Sequence, residues 1–400
     1  MKFHYGMNIA FFADNFYPEM SGISDSTALI GKELGKLGHE VHFFVPFYSP
    51  KNYKFVGLKD EEINLGPNIF VHRVPSFPIP MPTLQGRVVF PNWLRATFEK
   101  EKFDIVHTHS FWGPGIDARS LAKKQKIPFI GTNHTPIEIF SPVNIEFVKS
   151  FLKKYVIRFF NKCDFVTTPS EVLLNSMKAQ GLKPESTVVS NPIEMQFYKE
   201  NQTKEALKKE LGFAGFTVLY AGRISEEKRV DTIIDAFKDF SKNKNGVTLV
   251  LVGEGSLRKK FEKIVKESGK SNQIKFIGPY LGDSKKDLYD IFHASDIFVI
   301  ASIFETQSMV TLQAMASGLP VIASNVGALP DIVNSERGLL FDVGNSIQMA
   351  EQLEVMYSNP EMRDKFGKNG RTFSEKYSAE KVAKEWEKIY NNVIEKFNQK

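Results

Sequence analysis

Residues 304–322 read FETQSMVTLQAMASGLPVI and follow a strand-like apolar run, DIFVIAS, at 296–302. The order is strand, short loop with Glu305, then a helix from about Ser308. Ala314, Gly318 and Pro320 end that helix, and residues 320–324, PVIAS, begin another strand. A helix starting just after a strand turns its unpaired N–H groups and its positive dipole end toward the carboxyl edge of a sheet. Ser308, Met309 and Val310 therefore offer backbone amides to an anionic group such as a phosphate. Glu305, just ahead of them, can accept hydrogen bonds from sugar hydroxyls. This succession is that of a parallel α/β sheet binding its ligand beyond the strand ends.

The same alternation runs through the chain. Strands are expected at 7–13, 41–46, 105–109, 129–132, 165–168 and 187–190, with a helix carrying Ile30, Leu34 and Leu37 and closed by Gly38. A helix at 203–211 precedes a second series of strands at 216–221, 247–252, 274–278, 297–301 and 321–324. The first helix of that series carries Val230, Ile233, Ile234, Phe237 and Phe240 as an apolar stripe. The reading is two domains, 1–195 and 196–375, and a last segment, 376–400. Within it, a helix at 379–397 puts Val382, Trp386, Ile389, Tyr390 and Val393 on one face.

Four hundred residues suit two domains, and 42% hydrophobic with 24% charged residues describes a globular chain with ample core. The single cysteine, Cys163, excludes an internal disulfide, fits a reducing cytosol and reads as a core residue. The N-terminal apolar run is broken by Asp14 and Pro18, so it reads as a strand rather than a signal peptide. No run approaches the roughly 20 apolar residues of a membrane span. A net charge of +6 permits an acidic substrate or an anionic membrane surface. Without a dense basic tract interleaved with aromatics, nucleic acid is not an expected partner.

Three further stretches fall at expected strand ends. Residues 221–228, AGRISEEK, place Gly222, Arg223 and Lys228 at a loop-to-helix junction, either as a cation pair for a diphosphate or as solvated charges at a helix start. Residues 252–255, VGEG, resemble a dinucleotide fingerprint, but Arg258 stands where the third glycine would be. In 17–22, YPEMSG, Gly22 lets a phosphate approach the backbone before a helix, or simply makes a turn.

Taken together these motifs resemble the retaining glycosyltransferases of family 4, with the two-domain GT-B architecture. The resemblance covers essentially the whole chain. It implies two Rossmann-like domains with parallel sheets facing a central cleft, the first binding acceptor and the second the nucleotide sugar, with the last helix crossing back to the first. It assigns Gly222, Arg223 and Lys228 to the diphosphate, and Glu305 with His109 to the transferred sugar. His134, in Gly-Thr-Asn-His-Thr, matches a second recurring histidine and would touch sugar or acceptor. His107 and His109 lie two apart and point to one side of their strand; His109 and His134 could equally be hydrogen-bonded core residues. Gly22 and Asn191 are further donor contacts by this resemblance, the latter in a turn where Pro192 and Glu194 replace the family's Gly and Asp. The family's second Glu, which holds the ribose, is Gln313 here. The amide keeps an acceptor oxygen but loses charge, which weakens each hydrogen bond by roughly a kcal/mol or less. No metal and no cofactor beyond the nucleoside-diphosphate sugar, itself a co-substrate, is implied.

The triplet Glu305-Thr306-Gln307 resembles the enzymes that make monoglycosyl-diacylglycerol, which implies UDP-glucose as donor, a lipid acceptor, and a cytoplasmic protein peripheral on the inner face of the membrane. Residues 144–163 fit this: Phe147, Val148, Phe151, Leu152, Tyr155, Val156, Phe159 and Phe160 alternate with Lys149, Lys153, Lys154, Arg158 and Lys162. An apolar helix with a basic rim lies on an anionic membrane, or it is a core helix with solvated lysines. Residues 78–82, Phe90 and Trp93 add an apolar loop region. The alternatives are a polysaccharide or soluble sugar acceptor, a sugar epimerase of the same fold, or a nucleotide-sugar-binding protein without transfer activity. Near Gly255 and Tyr280 lie the contacts that would choose the base. Oligomeric state has no signature in the sequence.

Overall fold

The computed structural model describes residues 6–19, 21–55, 58–59, 62–79, 86–91, 101–136, 146–195, 202–213, 215–278 and 285–399. Residues 80–82, 144–145, Trp93 and Tyr280 fall outside the described residues. The chain forms two compact units, one of residues 1–192 with 379–400 and one of residues 193–378.

The first unit is built on β1 (Asn8–Phe12), β2 (Glu40–Pro46), β3 (Ile69–Val74), the short pair β4 (Phe77–Pro78) and β5 (Arg87–Val88), then β6 (Ile105–Thr108), β7 (Phe129–Thr132), β8 (Phe165–Thr168) and β9 (Glu185–Val188). Seven of these form one sheet in the order β3-β2-β1-β6-β7-β8-β9, parallel throughout. The second unit contains β10 (Phe216–Ala221), β11 (Val247–Val252), β12 (Ile274–Ile277), β13 (Ile297–Ile300), β14 (Val321–Ser324) and β15 (Gly338–Phe341). Its order is β12-β11-β10-β13-β14-β15, again parallel. Both are doubly wound sheets, and the order reverses between β1 and β6 and between β10 and β13. A crevice opens at such a reversal, beyond the carboxyl ends of the two strands.

Strands covered on both faces need apolar side chains at every position. In β10 and β11, Val218, Tyr220, Leu249 and Leu251 enter one core, and Leu219, Ala221, Val250 and Val252 enter the opposite one. Phe11 and Phe43 face one side of the first sheet, Phe12 and Phe44 the other. The last helix, Ala379–Asn398, belongs to the first unit. Its Val382, Trp386, Tyr390 and Val393 pack with Ile9, Phe11, Ile30 and Leu34.

Two differences from the sequence reading concern edges. The strand expected at 187–190 lies earlier, at Glu185–Val188. β3 and β15 were not anticipated; both are edge strands, and β3 carries His72 and Arg73 while β15 has only four residues. An edge strand meets solvent along one side, so its apolar signal is diluted.

Candidate functional site

β10 delivers its last residue, Ala221, to one side of the switch point in the second unit, and Gly222 follows. Gly222 N–H donates to Val252 O at 2.9 Å. The loops after β10 and β11 then meet backbone to backbone: a Cβ on Gly253, whose φ is +142°, would stand 1.9 Å from Gly222 O. Tyr220 Oη donates to Arg223 O at 2.6 Å and fixes the next peptide. Arg223 extends into solvent and pairs with Glu227 at 3.3 Å. Burial works to raise the Glu227 carboxyl, but the Ser225 hydroxyl, its own amide and the charges of Arg223 and Lys228 outweigh it and hold it below the usual range. The sequence reading placed this stretch at a loop-to-helix junction, and the structure details it. Glu226–Lys228 form a 3-10 turn, Arg229 is left-handed with φ +46°, and the helix follows as Val230–Phe240.

β13 supplies the other side. Lys228 Nζ donates to Glu305 Oε1 at 2.7 Å, and Ser302 Oγ donates to the same oxygen at 2.8 Å. The carboxylate is buried. Its backbone is equally fixed: Glu305 O accepts from Ala328 N at 2.9 Å, and a Cβ on Gly327, φ +57°, would come within 2.3 Å of that oxygen. A buried charge needs such a partner, and the lysine ties the β10 loop to the β13 loop across the sheet reversal.

Ser308, at φ +66°, precedes the helix Met309–Ala316, whose first turn has no side-chain cap. Ser308 Oγ is engaged instead with Thr311 Oγ1 at 2.7 Å. Met309 and Val310 are half-buried, and Gln313, also half-buried, lies one turn after Met309 on the same face. Arg258 donates to Gly253 O at 2.8 Å and Ile277 O at 3.2 Å. Its guanidinium thus joins the ends of β11 and β12 at the position where a dinucleotide fingerprint has its third glycine.

In the first unit, Ser21 caps the helix Gly22–Lys36 by accepting from Ser24 N at 3.1 Å, and Gly22 is exposed. Asn191 Oδ1 accepts from Ser26 Oγ at 2.8 Å, which ties the turn at 189–192 to this helix. His109 N–H donates to Phe12 O at 2.8 Å, so the histidine stands at the carboxyl end of β6 against β1. His109 Nδ1 lies 2.8 Å from His134 Nε2. Burial keeps both imidazoles neutral, with His134 lowered to about 4 and His109 well below its ordinary range. His107 faces the same side, its ring 4.2 Å from that of His109. It is a satisfied core group, bonded to Tyr390 Oη at 2.8 Å and Thr132 Oγ1 at 2.7 Å.

Asp14 is a perturbed acid beyond β1 that the sequence reading passed over. Half-buried beyond β1, it accepts from Ser110 Oγ at 2.9 Å, and burial raises it to about 6. An acid directly after a first strand and before a glycine loop was the available signal.

The helix Glu146–Phe160 divides along its length. Val156, Ile157, Phe159 and Phe160 are core residues, whereas Phe147 and Phe151 are 79% and 63% exposed. Phe77 and Phe90, both exposed, meet edge to face at 5.7 Å.

Residues 203–373 match the family Glycosyl transferases group 1, and residues 20–197 match Glycosyltransferase Family 4. The chain belongs to glycosyltransferase family 4. Among similar proteins, the alpha-monoglucosyldiacylglycerol synthase of Acholeplasma laidlawii is 27% identical over 98% of this chain and 99% of its own. That of Streptococcus pneumoniae is 27% identical over 97% and 86%. The crystal structure of Anabaena Alr3699/HepE in complex with UDP superposes with a TM-score of 0.77 at 16% identity, over 96% of this chain and 100% of that one. This family 4 glycosyltransferase thus has the GT-B fold, one doubly wound sheet in each unit. Among its described residues no helix is long and apolar enough to cross a membrane, and no three His, Cys, Asp or Glu side chains are grouped to hold a metal ion.

Proposed function

We propose that the protein is a retaining, metal-independent hexosyltransferase that moves glucose from UDP-glucose to a lipid acceptor such as diacylglycerol, at the inner face of the cytoplasmic membrane. The observation that carries the reading is the Lys228–Glu305 bridge at 2.7 Å, set at the switch point of the second sheet beside an uncapped helix N-terminus.

In this reading the second unit binds the donor. Arg223 and Lys228, with the amides of Met309 and Val310 after Ser308, take the negative charge that develops as the bond between sugar C1 and the diphosphate oxygen breaks. Gly222 lets the backbone approach, Gln313 holds the ribose, and Glu305, already oriented by Lys228 and Ser302, accepts from sugar hydroxyls. The acceptor oxygen bonds to C1 on the face the diphosphate leaves, and its proton passes to a donor phosphate oxygen. The first unit contributes Gly22 and Asn191 on the donor side and His109 with His134 toward sugar and acceptor. The sequences of the two synthases support a lipid acceptor. So do Phe147 and Phe151, which project from a helix that also carries Lys149, Lys153, Lys154 and Arg158, a combination suited to anionic lipid.

Release of nucleoside diphosphate from a panel of nucleotide sugars, with and without diacylglycerol in anionic vesicles, tests this. Vesicle-dependent release from UDP-glucose is expected. Release that ignores vesicles keeps the transferase and removes the lipid. Donor binding without any release would make the protein a nucleotide-sugar binder instead.

A further inference from the structure

β1 and β6 are neighbours at the sheet reversal of the first unit, and Asp14 and Ser110 each stand just past the end of one of them. Ser110 is locked in place. Its N–H donates to Thr108 Oγ1 at 3.1 Å, and Thr108 Oγ1 donates back to Ser110 O at 2.7 Å. Trp112 N–H donates to Ser110 Oγ at 3.1 Å, so the hydroxyl's own proton is the one turned to Asp14 Oδ2, 2.9 Å away. In the orientation that suits its neighbours, the Asn15 amide donates to Asp14 Oδ1, also at 2.9 Å. The carboxylate is thereby fixed at the crevice from both strand ends.

These donors are neutral. Among the described residues no lysine or arginine pairs with Asp14, whereas Glu305, at the reversal of the second unit, has Lys228. Burial raises the Asp14 carboxyl to about 6 and no charged neighbour contributes, so at neutral pH the group is mainly ionised. A half-buried carboxylate without a cation is costly to the fold, and in a crevice such a group points to a ligand that completes it. A carboxylate offers about four acceptor positions, so Ser110 and Asn15 leave room for a further donor.

We propose that Asp14 accepts a hydrogen bond from the attacking hydroxyl of the acceptor and fixes that oxygen for transfer. This rests on the transferase reading above. Asp14 orients the hydroxyl and does not keep its proton: the acceptor oxygen bonds to sugar C1, the bond from C1 to the diphosphate oxygen breaks, and the proton passes to a donor phosphate oxygen. The hydroxyl is the only hydrogen-bond donor of a diacylglycerol, since its ester groups only accept. A fixed acceptor-only group therefore selects it and turns the esters away.

Asp14→Asn tests this with UDP-glucose and diacylglycerol in anionic vesicles. The amide keeps the size and one acceptor oxygen but loses the charge, so kcat/KM for the acceptor should fall about 10- to 100-fold. Affinity for UDP-glucose, by calorimetry, should stay unchanged. Removing a charge that burial disfavours should leave the denaturation midpoint at neutral pH unchanged or higher. In the wild type, kcat/KM for the acceptor should decline on acidification through about pH 6, and the variant should lack that limb. An unchanged kcat/KM, or a limb that persists in the variant, overturns the inference and leaves the transferase standing. A fall accompanied by weaker UDP-glucose binding or a lower midpoint overturns it too, because Asp14 would then serve the donor or the fold. If vesicles make no difference to the wild type, the lipid acceptor is lost, and slow hydrolysis of UDP-glucose, with water as the attacking hydroxyl, becomes the measure. The same fall in the variant then supports Asp14, and equal rates sink it. Wild-type protein that binds UDP-glucose and turns none over gives Asp14 no hydroxyl to hold and ends both readings.

Discussion

Lys228 and Glu305 are 77 residues apart in sequence and 2.7 Å apart in the fold, so each depends on the other. Lys228→Ala removes the cation proposed to meet the charge that builds on the diphosphate and leaves a buried carboxylate without its lysine partner. Transfer should fall roughly 100- to 1,000-fold, as on loss of one preorganised donor, with Lys228→Arg recovering part of it; UDP release under saturating donor is the measurement. Gln313 gives a prediction of the opposite sign. Gln313→Glu should tighten donor binding by roughly a kcal/mol or less, about fivefold, because a charged acceptor strengthens its hydrogen bonds. Unchanged affinity by calorimetry would separate Gln313 from the ribose. The places of Lys228 and Glu305 were legible because each lies in a loop that follows a strand, within a recognisable motif. Asp14 was not, since its significance comes from burial and from Ser110, neither of which local sequence encodes.

At the level of elements, the buried strands were the most legible part of the chain. VTLVLV at 247–252 leaves no polar face, so a core strand is its only comfortable use. The Glu146–Phe160 helix was legible in composition and not in disposition. Nothing in the spacing of its phenylalanines says that Phe159 and Phe160 turn inward while Phe147 and Phe151 remain outside; β6 and β7, packed on one half only, decide that. Replacing Phe147 and Phe151 together with serine should change unfolding free energy by about 0.5 kcal/mol or less per site, as for exposed positions. The same variant should sediment less with anionic vesicles, and equal sedimentation would take the helix out of the membrane reading. Trp386→Ala is the contrasting case. Its fully buried ring is lost from the core of the first unit, at about 3–5 kcal/mol, read as a lower denaturation midpoint.

Over the whole molecule, the first unit concentrates buried histidines. His107, His109 and His134 are all held below their ordinary values, first of all by burial. Each stays neutral in the fold yet can take a proton near pH 6.5 once unfolded. The unfolded chain therefore binds more protons between about pH 4 and 6.5, and stability rises with pH across that window. Asp14 opposes this: raised from 3.8 to about 6, it holds its proton better in the fold, so its contribution is lost as pH rises through 6. Burial also lowers His42, to about 4, and His72, and together the histidines outweigh Asp14. Acidification from pH 7 to 5 should lower the unfolding free energy of the first unit by about 1.4 kcal/mol per pH unit for each uncompensated histidine, as denaturant midpoints at the two pH values would show. The path of the chain carries a further consequence. Trp386 and Tyr390, which close the core around Ile9, Phe11 and His107, are translated only after the entire second unit, residues 193–378. During synthesis the strands of the first sheet are therefore all made before the helix that covers one of its faces. A chain truncated after residue 378 should therefore carry a protease-resistant second unit and a more digestible first one.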